Sequence, residues 1–238
     1  MTTALTYYER TGTTAKTAAV PPSAYLSLFE KYTKEGYEVV HLGFTAKLSS
    51  SFQNAVLAAG ELEGVFPVDT KSLCTGMALL VIKACEMRDA GLPAKEIAEQ
   101  IALLREKVHT TFILNTLDYL SRGGRCSAVT AFGANLLSIK PSIEMVDGAL
   151  EVGKKYRGKI ETVYGQYIRD QLSDPDKLDL SRAFLSHSGG GISEETLQAM
   201  KKEILRCAPF QEVQIIRAGC TISAHCGPKT ATVMFMEK

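Results

Sequence analysis

Residues able to bind an anion or move a proton gather in a few places along this sequence. The first is Thr45-Ala46-Lys47-Leu48-Ser49-Ser50-Ser51, followed by Phe52-Gln53-Asn54-Ala55. Residues 38–44 before it are apolar and β-branched and read as a buried strand, while Phe52, Ala55, Val56, Ala59 and Leu62 after it recur at helical spacing. The serines therefore sit where a strand hands over to a helix. The first amides of a helix lack intrahelical partners and carry partial positive charge, so such a junction suits a carboxylate or a phosphate, with the hydroxyls as added donors. The competing reading is that Ser49 or Ser50 simply caps the helix.

Near the end, Ser223-Ala224-His225-Cys226-Gly227-Pro228 places an imidazole and a thiol before a Gly-Pro turn. Neighbours in an extended segment point to opposite sides, which argues against a cooperating Cys226/His225 pair. His225 either donates to an anionic ligand or satisfies a local carbonyl. Arg122-Gly123-Gly124-Arg125 reads as a loop with cations for a phosphate, yet no strand–GxxxxGK[ST]–helix pattern occurs, so a nucleotide P-loop is excluded. His187-Ser188-Gly189-Gly190-Gly191 reads as a turn ahead of a helix, with a phosphate cradle as the alternative. Asp69 has no second carboxylate at ligand spacing, so no metal is expected and no other cofactor is called for.

These groups need elements to hold them. Residues 1–16 predict a short helix and a loop at Gly12. The run Thr17-Ala18-Ala19-Val20-Pro21-Pro22 is held extended by its prolines, with Ser23 as the expected cap of the helix that follows. Residues 64–70 read as a second buried strand, near an edge because of Pro67. Helices follow over 77–88, stopped at Gly91, and from Leu92-Pro93 onward with Ile97, Ile101, Leu104 and Val108 as one stripe. Alternating strand and helix predicts an α/β domain with a parallel, Rossmann-like sheet over residues 1–108. In such sheets ligands bind outside the carboxyl ends of the strands, where both Thr45–Ser51 and Thr70–Ser72 lie.

The second half changes character. Asp147-Gly148 between residues 142–146 and 149–152 is a strong hairpin signal, which predicts an α+β domain with a mainly antiparallel sheet over residues 109–238. A strand is expected at 111–114, a helical turn at 117–120, a short apolar segment at 131–139 stopped by Lys140-Pro141, helices over 158–172 and 193–207, and strands at 183–186, 213–217 and 232–236.

Composition excludes several classes. Of 238 residues, 45% are apolar and 22% charged, ordinary for a globular chain, and a net charge of +1 without a basic run gives nucleic acid no field to follow. Six cysteines show neither CxxC nor zinc-ligand spacing. Absence of a signal-like start and of an apolar run near the ~20 residues of a membrane span predicts a cytoplasmic protein with reduced thiols, mostly small core residues, and no stable membrane insertion.

Several of these stretches, in order along nearly the whole chain, resemble the DegV family of bacterial fatty-acid-binding proteins. The family's Thr-Ser-x-Pro-Ser-Pro loop corresponds to Thr17 through Pro22, and its Ser-Ser-x-Leu-Ser-Gly-Thr-Tyr-Gln-x-Ala segment to Thr45 through Ala55. Asp69-Thr70 matches an Asp-Ser strand end, residues 117–125 a Leu-x-Tyr-Leu-x-x-Gly-Gly-Arg segment, residues 137–143 a Leu-x-Ile-Lys-Pro-Ile segment, and His225 to Pro228 a final His-x-Gly-Pro. Ser50 stands for the family's Gly, Thr45 for a Ser, Ala18 for the loop Ser and Lys229 for a Gly. The family's additional first strand, ending in Asp-Ser, has no counterpart, so the first sheet is expected to be one strand short.

The resemblance implies a non-catalytic carrier that encloses a long-chain fatty acid between its two domains and presents the carboxylate to a separate fatty acid kinase, which makes acyl phosphate for phospholipid synthesis. It places Thr17 and Ser49, with Ser50 beside them, on the carboxylate, and His225 and Arg157 near the head group. An acid of about fourteen to eighteen carbons fits energetically: burying about fourteen methylenes at ~0.8 kcal/mol each contributes roughly 11 kcal/mol against the cost of association. The rival is a hydrolase or acyltransferase with Ser49 or Cys226 as nucleophile and His225 as base.

Overall fold

The computed structural model describes residues 3–125 and 139–238. The expected segment over 131–138, the first residues of the 137–143 motif and Cys126 lie outside the described residues. The chain forms two compact units, one of residues 1–17, 109–146 and 150–238 and a smaller one of residues 18–108 with 147–149. The units thus interleave, and residues 1–17 go with the larger.

The smaller unit is built on β1 (Val39–Gly43) and β2 (Val65–Asp69), paired in parallel from Val39↔Val65 to Gly43↔Asp69. Its helices are α2 (Pro22–Lys34), α3 (Ser51–Ala59), α4 (Cys74–Asp89) and α5 (Ala94–Leu104). Val39 and His41 face α2, where Phe29 packs with Ala55, Ala58 and Ala59 and the His41 ring meets Tyr25 and Phe29 edge-on. Alternation then turns Val40 and Leu42 toward α4 and α5. Pro22 occupies the first turn of α2 after the extended Pro21, so no side chain caps it; this corrects the expectation of a Ser23 cap, since proline at this position sacrifices only an N–H that had no partner. Gly91 takes φ +87 just after α4, and α5 starts behind Pro93, as the sequence predicts. The helix of α5 ends at Leu104, so Val108 falls on β3 (Val108–His109) and not on its stripe.

The larger unit carries a mixed sheet in the order β6-β5-β4-β9-β7-β8, with β3 pairing β9. Its strands are β4 (Thr111–Ile113), β5 (Ile139–Val146), β6 (Ala149–Arg157), β7 (Arg182–His187), β8 (Glu212–Arg217) and β9 (Ala231–Met236). β7 and β8 run parallel, while β4 is antiparallel to β5 and β9 and β7 antiparallel to β9. Every residue of β9 is buried, and apart from Thr232 this central strand is apolar throughout. Asp147 (φ +46) and Gly148 (φ +80) make the two-residue turn between β5 and β6, the mirror-image geometry that matches strand twist. Lys140 and Pro141 lie inside β5, contrary to the expected stop; Pro141 lacks a donor, but its carbonyl still accepts from Leu114 N.

Helices α7 (Ile160–Gln171) and α8 (Glu194–Cys207) seal one sheet face: Val163, Tyr164, Tyr167 and Ile168 join Met200, Ile204, Leu185, Val233 and Phe235 in one core. Ser193 Oγ accepts from Thr196 N at 3.1 Å and fixes the start of α8, whose apolar stripe is Leu197, Met200 and Ile204. Among the described residues the unit also has three shorter helices, α1 (Thr3–Thr11), α6 (Asp118–Gly123) and α9 (Cys220–Cys226). Among the described residues no helix is long and apolar enough to cross a membrane. None of the described cysteines is in a disulfide, and only Cys226 is fully buried, which corrects the expectation that most are core residues.

Candidate functional site

His225 stands in α9, so the Ser-Ala-His-Cys segment is the end of a helix and not the extended run expected from sequence. Its Nε2 lies 2.8 Å from Thr17 Oγ1. A Cβ at Gly123 would fall 2.3 Å from His225 Nδ1, so the last residue of α6 is a glycine because the imidazole occupies that space. Gly124 (φ +67) ends α6. The Arg-Gly-Gly-Arg motif is thus half helix, half stop, and its glycines seat a histidine. Arg122 Nη1 donates to Tyr8 OH at 2.5 Å and Arg125 Nη1 to Gly123 O at 2.7 Å.

Burial first, and the Arg125 charge second, hold His225 below its usual 6.5, so the ring is neutral at pH 7. Among the described residues Nδ1 is buried without a partner. A proton there would leave a buried N–H unsatisfied, so the less costly tautomer carries it on Nε2 and donates to Thr17 Oγ1. Thr17 keeps its own O–H to donate onward. Among the described residues no third group orients this imidazole as a catalytic dyad requires.

In the smaller unit, Gly43 ends β1 under the Phe52 ring; a Cβ at Gly43 would lie 2.5 Å from Phe52 Cδ2. That contact seats the first turn of α3 on the strand end and places the serines. Ser50 occupies the cap position but makes no capping bond and is exposed. Ser49 does the work instead: its Oγ accepts from Ser51 N at 3.2 Å and lies 2.9 Å from Ser51 Oγ. Ser51 Oγ also accepts from Val20 N at 3.2 Å, and Asn54 Nδ2 donates to Val20 O at 2.7 Å.

The other hydroxyls at the strand ends are consumed internally. Thr45 Oγ1 donates to Gly148 O at 2.8 Å and Thr70 Oγ1 to Gly43 O at 2.7 Å. Asp69 accepts from Ala46 N and Lys71 N, and Lys71 Nζ lies 2.9 Å from Glu106 and 2.5 Å from Asp147. Along the outer edge of β1 runs an apolar groove of about 750 Å³ lined by Tyr32, Tyr37, Val40, Leu42, Val81 and Ile97 among others.

Arg157 ends β6, exposed, in a depression of about 430 Å³ that also includes Lys154, Arg169 and Asp170. In the loop after β7, Ser188 is tied down by Gly227 O at 2.6 Å, and Gly189, Gly190 and Gly191 all have positive φ, Gly190 against Pro228. Sequence reasoning therefore chose Thr17 and His225, which the fold joins. It took Ser51 only as one more donor beside Ser49 and Gly123 as part of a cation loop, and it gave no part to Asn54, whose one signal is its spacing from Ser51 at the start of α3.

One unit thus holds a neutral histidine bonded to a threonine, and the other a serine pair at a helix start. A family model described as "Uncharacterised protein, DegV family" matches residues 3–238, and this chain belongs to that family. A DegV domain-containing protein of Clostridium acetobutylicum is 30% identical over 228 residues, spanning 93% of this chain and 78% of its own. Among solved structures, a DegV family protein from Thermus thermophilus, described by its fatty acid binding, superposes with a TM-score of 0.85 at 26% identity, covering 98% of this chain and 83% of that one. The Fatty Acid Kinase (Fak) B3 protein of Streptococcus pneumoniae, solved loaded with linoleic acid, shares the fold with a TM-score of 0.84 at 23% identity, covering 98% of this chain and 82% of that one.

Proposed function

We propose that this chain binds a long-chain fatty acid and takes no catalytic part in its chemistry. The carboxylate accepts from Thr17, backed by His225, and from Ser49, while the acyl chain is buried in the protein. In this reading the protein works in the cytoplasm and presents the carboxylate to a separate fatty acid kinase. Ser50 and Arg157 serve at the periphery, where Arg157 offers a cation to the head group or to that kinase.

The observation that carries the reading is the 2.8 Å bond between Thr17 and a neutral His225. It leaves a hydroxyl with one free proton and no strong base, which suits holding an anion and not attacking an ester. Support comes also from the fatty acid binding of the Thermus thermophilus relative. Hydrogen bonds to a charged group are worth about 1.5–3 kcal/mol each, so the head group orients the ligand and the buried methylenes supply most of the affinity.

Delipidated protein titrated with palmitic acid and with palmityl alcohol tests this. The acid is expected to bind at least about tenfold more tightly, the equivalent of one charge-assisted hydrogen bond. Equal binding of acid and alcohol, or none of either, would remove the carboxylate from the account.

A further inference from the structure

Val20 is exposed, yet both of its backbone polar groups are taken by one face of α3: its N–H by Ser51 Oγ at 3.2 Å and its carbonyl by Asn54 Nδ2 at 2.7 Å. Two side chains one helical turn apart, gripping a single exposed residue, are not core packing. Val20 precedes Pro21, which keeps it extended and leaves its N–H and carbonyl available for such a grip.

The grip holds Ser51 Oγ at hydrogen-bond distance from Ser49 Oγ. A hydroxyl has one donor and two acceptor sites. Ser51 Oγ receives Val20 N–H, and its oxygen lies 2.9 Å from Ser49 Oγ. With Ser51 donating across that contact, Ser49 Oγ accepts both the Ser51 hydroxyl and the Ser51 amide, at 3.2 Å, and both its acceptor sites are filled. What remains to Ser49 is its own O–H, a donor with no internal acceptor along this relay. An anionic ligand selects that arrangement over the reverse one, in which Ser49 spends its proton on Ser51.

We infer that Ser51 and Asn54 are positioning residues: by clamping Val20 and filling the acceptor sites of Ser49, they fix the Ser49 hydroxyl as a donor to the ligand's carboxylate. The inference rests on the fatty acid reading above. It assigns to Ser51 an effect that depends on the ligand's head group, which a purely structural residue does not have.

The test compares wild type, Ser51→Ala, Ser51→Thr and Asn54→Ser, each delipidated and checked for fold by circular dichroism, with palmitic acid and palmityl alcohol as probes. Ser51→Ala is expected to weaken palmitic acid about tenfold while the alcohol changes by less than about twofold, the signature of a lost hydrogen bond to charge. Ser51→Thr keeps the hydroxyl and is expected to restore the acid's affinity. Asn54→Ser leaves the first residue of α3 intact and is expected to lower the acid-to-alcohol ratio in the same direction by about threefold, so a misfolded Ser51→Ala protein does not end the test. If wild type prefers the acid and neither variant changes that ratio, the positioning role is overturned while the binding reading stands. If wild type shows no preference for the acid, both are overturned.

Discussion

Thr45 and Thr70, just beyond the carboxyl ends of β1 and β2, are fully buried, and their hydroxyls are spent on the carbonyls of Gly148 and Gly43. Ser49, a few residues further on, is half-buried; its Oγ accepts from Ser51 N and lies 2.9 Å from Ser51 Oγ, and in the arrangement inferred above its own proton is left over. Thr17 matches Ser49: half-buried, backed by a histidine, its proton unspent. The sequence offers Thr45, Ser49 and Thr70 as one class, at the strand ends where an α/β sheet binds ligands, and Thr17 on an extended loop. What separates structure from function among them is the count of donors and acceptors. A hydroxyl whose proton goes to a buried carbonyl holds the fold; one whose oxygen is saturated by neighbours is ready to hold an anion.

The largest effect that could break this contrast is on stability. Thr45→Val strands the Gly148 carbonyl in a buried setting and is expected to cost about 1–3 kcal/mol in urea unfolding while changing palmitic acid affinity by less than about twofold. A variant with unchanged stability and lost affinity would move Thr45 into the binding group.

Gly123→Ala is expected to come next and to act on the other side of the contrast. Its methyl would lie 2.3 Å from His225 Nδ1, so the imidazole must leave Thr17. Palmitic acid affinity is expected to fall about tenfold, with overpacking costing about 1–3 kcal/mol of stability at most, partly offset because alanine favours a helix. Unchanged affinity would mean that the Thr17–His225 bond does not matter to the ligand.

The smallest effect is on pH. Burial holds His41, His187 and His225 below 6.5 in the folded protein. Each therefore binds protons more readily when unfolded, so their contribution is complete above pH 6.5 and is lost as the pH falls from 6.5 through the lowered values. A thermal midpoint lower at pH 5.5 than at pH 7.5 is expected. Glu203, held at about 2 by Arg206 and Arg169, works in a more acid range and does not confuse the comparison. A midpoint that rises on acidification would contradict the burial of these rings.

Much of this was readable from the chain because it is local. The β1-to-α3 junction, the Asp147-Gly148 turn, the Gly91 stop and the Ser193 helix start each follow from residues adjacent in sequence. The family resemblance singles out Thr17, and the His-Cys-Gly-Pro segment singles out His225, but their bond joins segments at opposite ends of the chain, and no local spacing encodes it. Gly123 is the clearer case: a Gly-Gly pair between arginines suggests a phosphate loop, whereas its purpose is set by an imidazole that folding delivers from α9. Pro22 and Pro141 misled for a simpler reason. Proline forbids a donor, and each sits where its missing donor leaves the element intact.

The most direct test of the central claim is native mass spectrometry of the purified protein, followed by organic extraction and lipid identification. The account predicts one long-chain fatty acid per chain, released as the free acid and lost in larger part from Thr17→Val protein. A wild-type chain that carries no lipid and takes up none from added palmitic acid would contradict it.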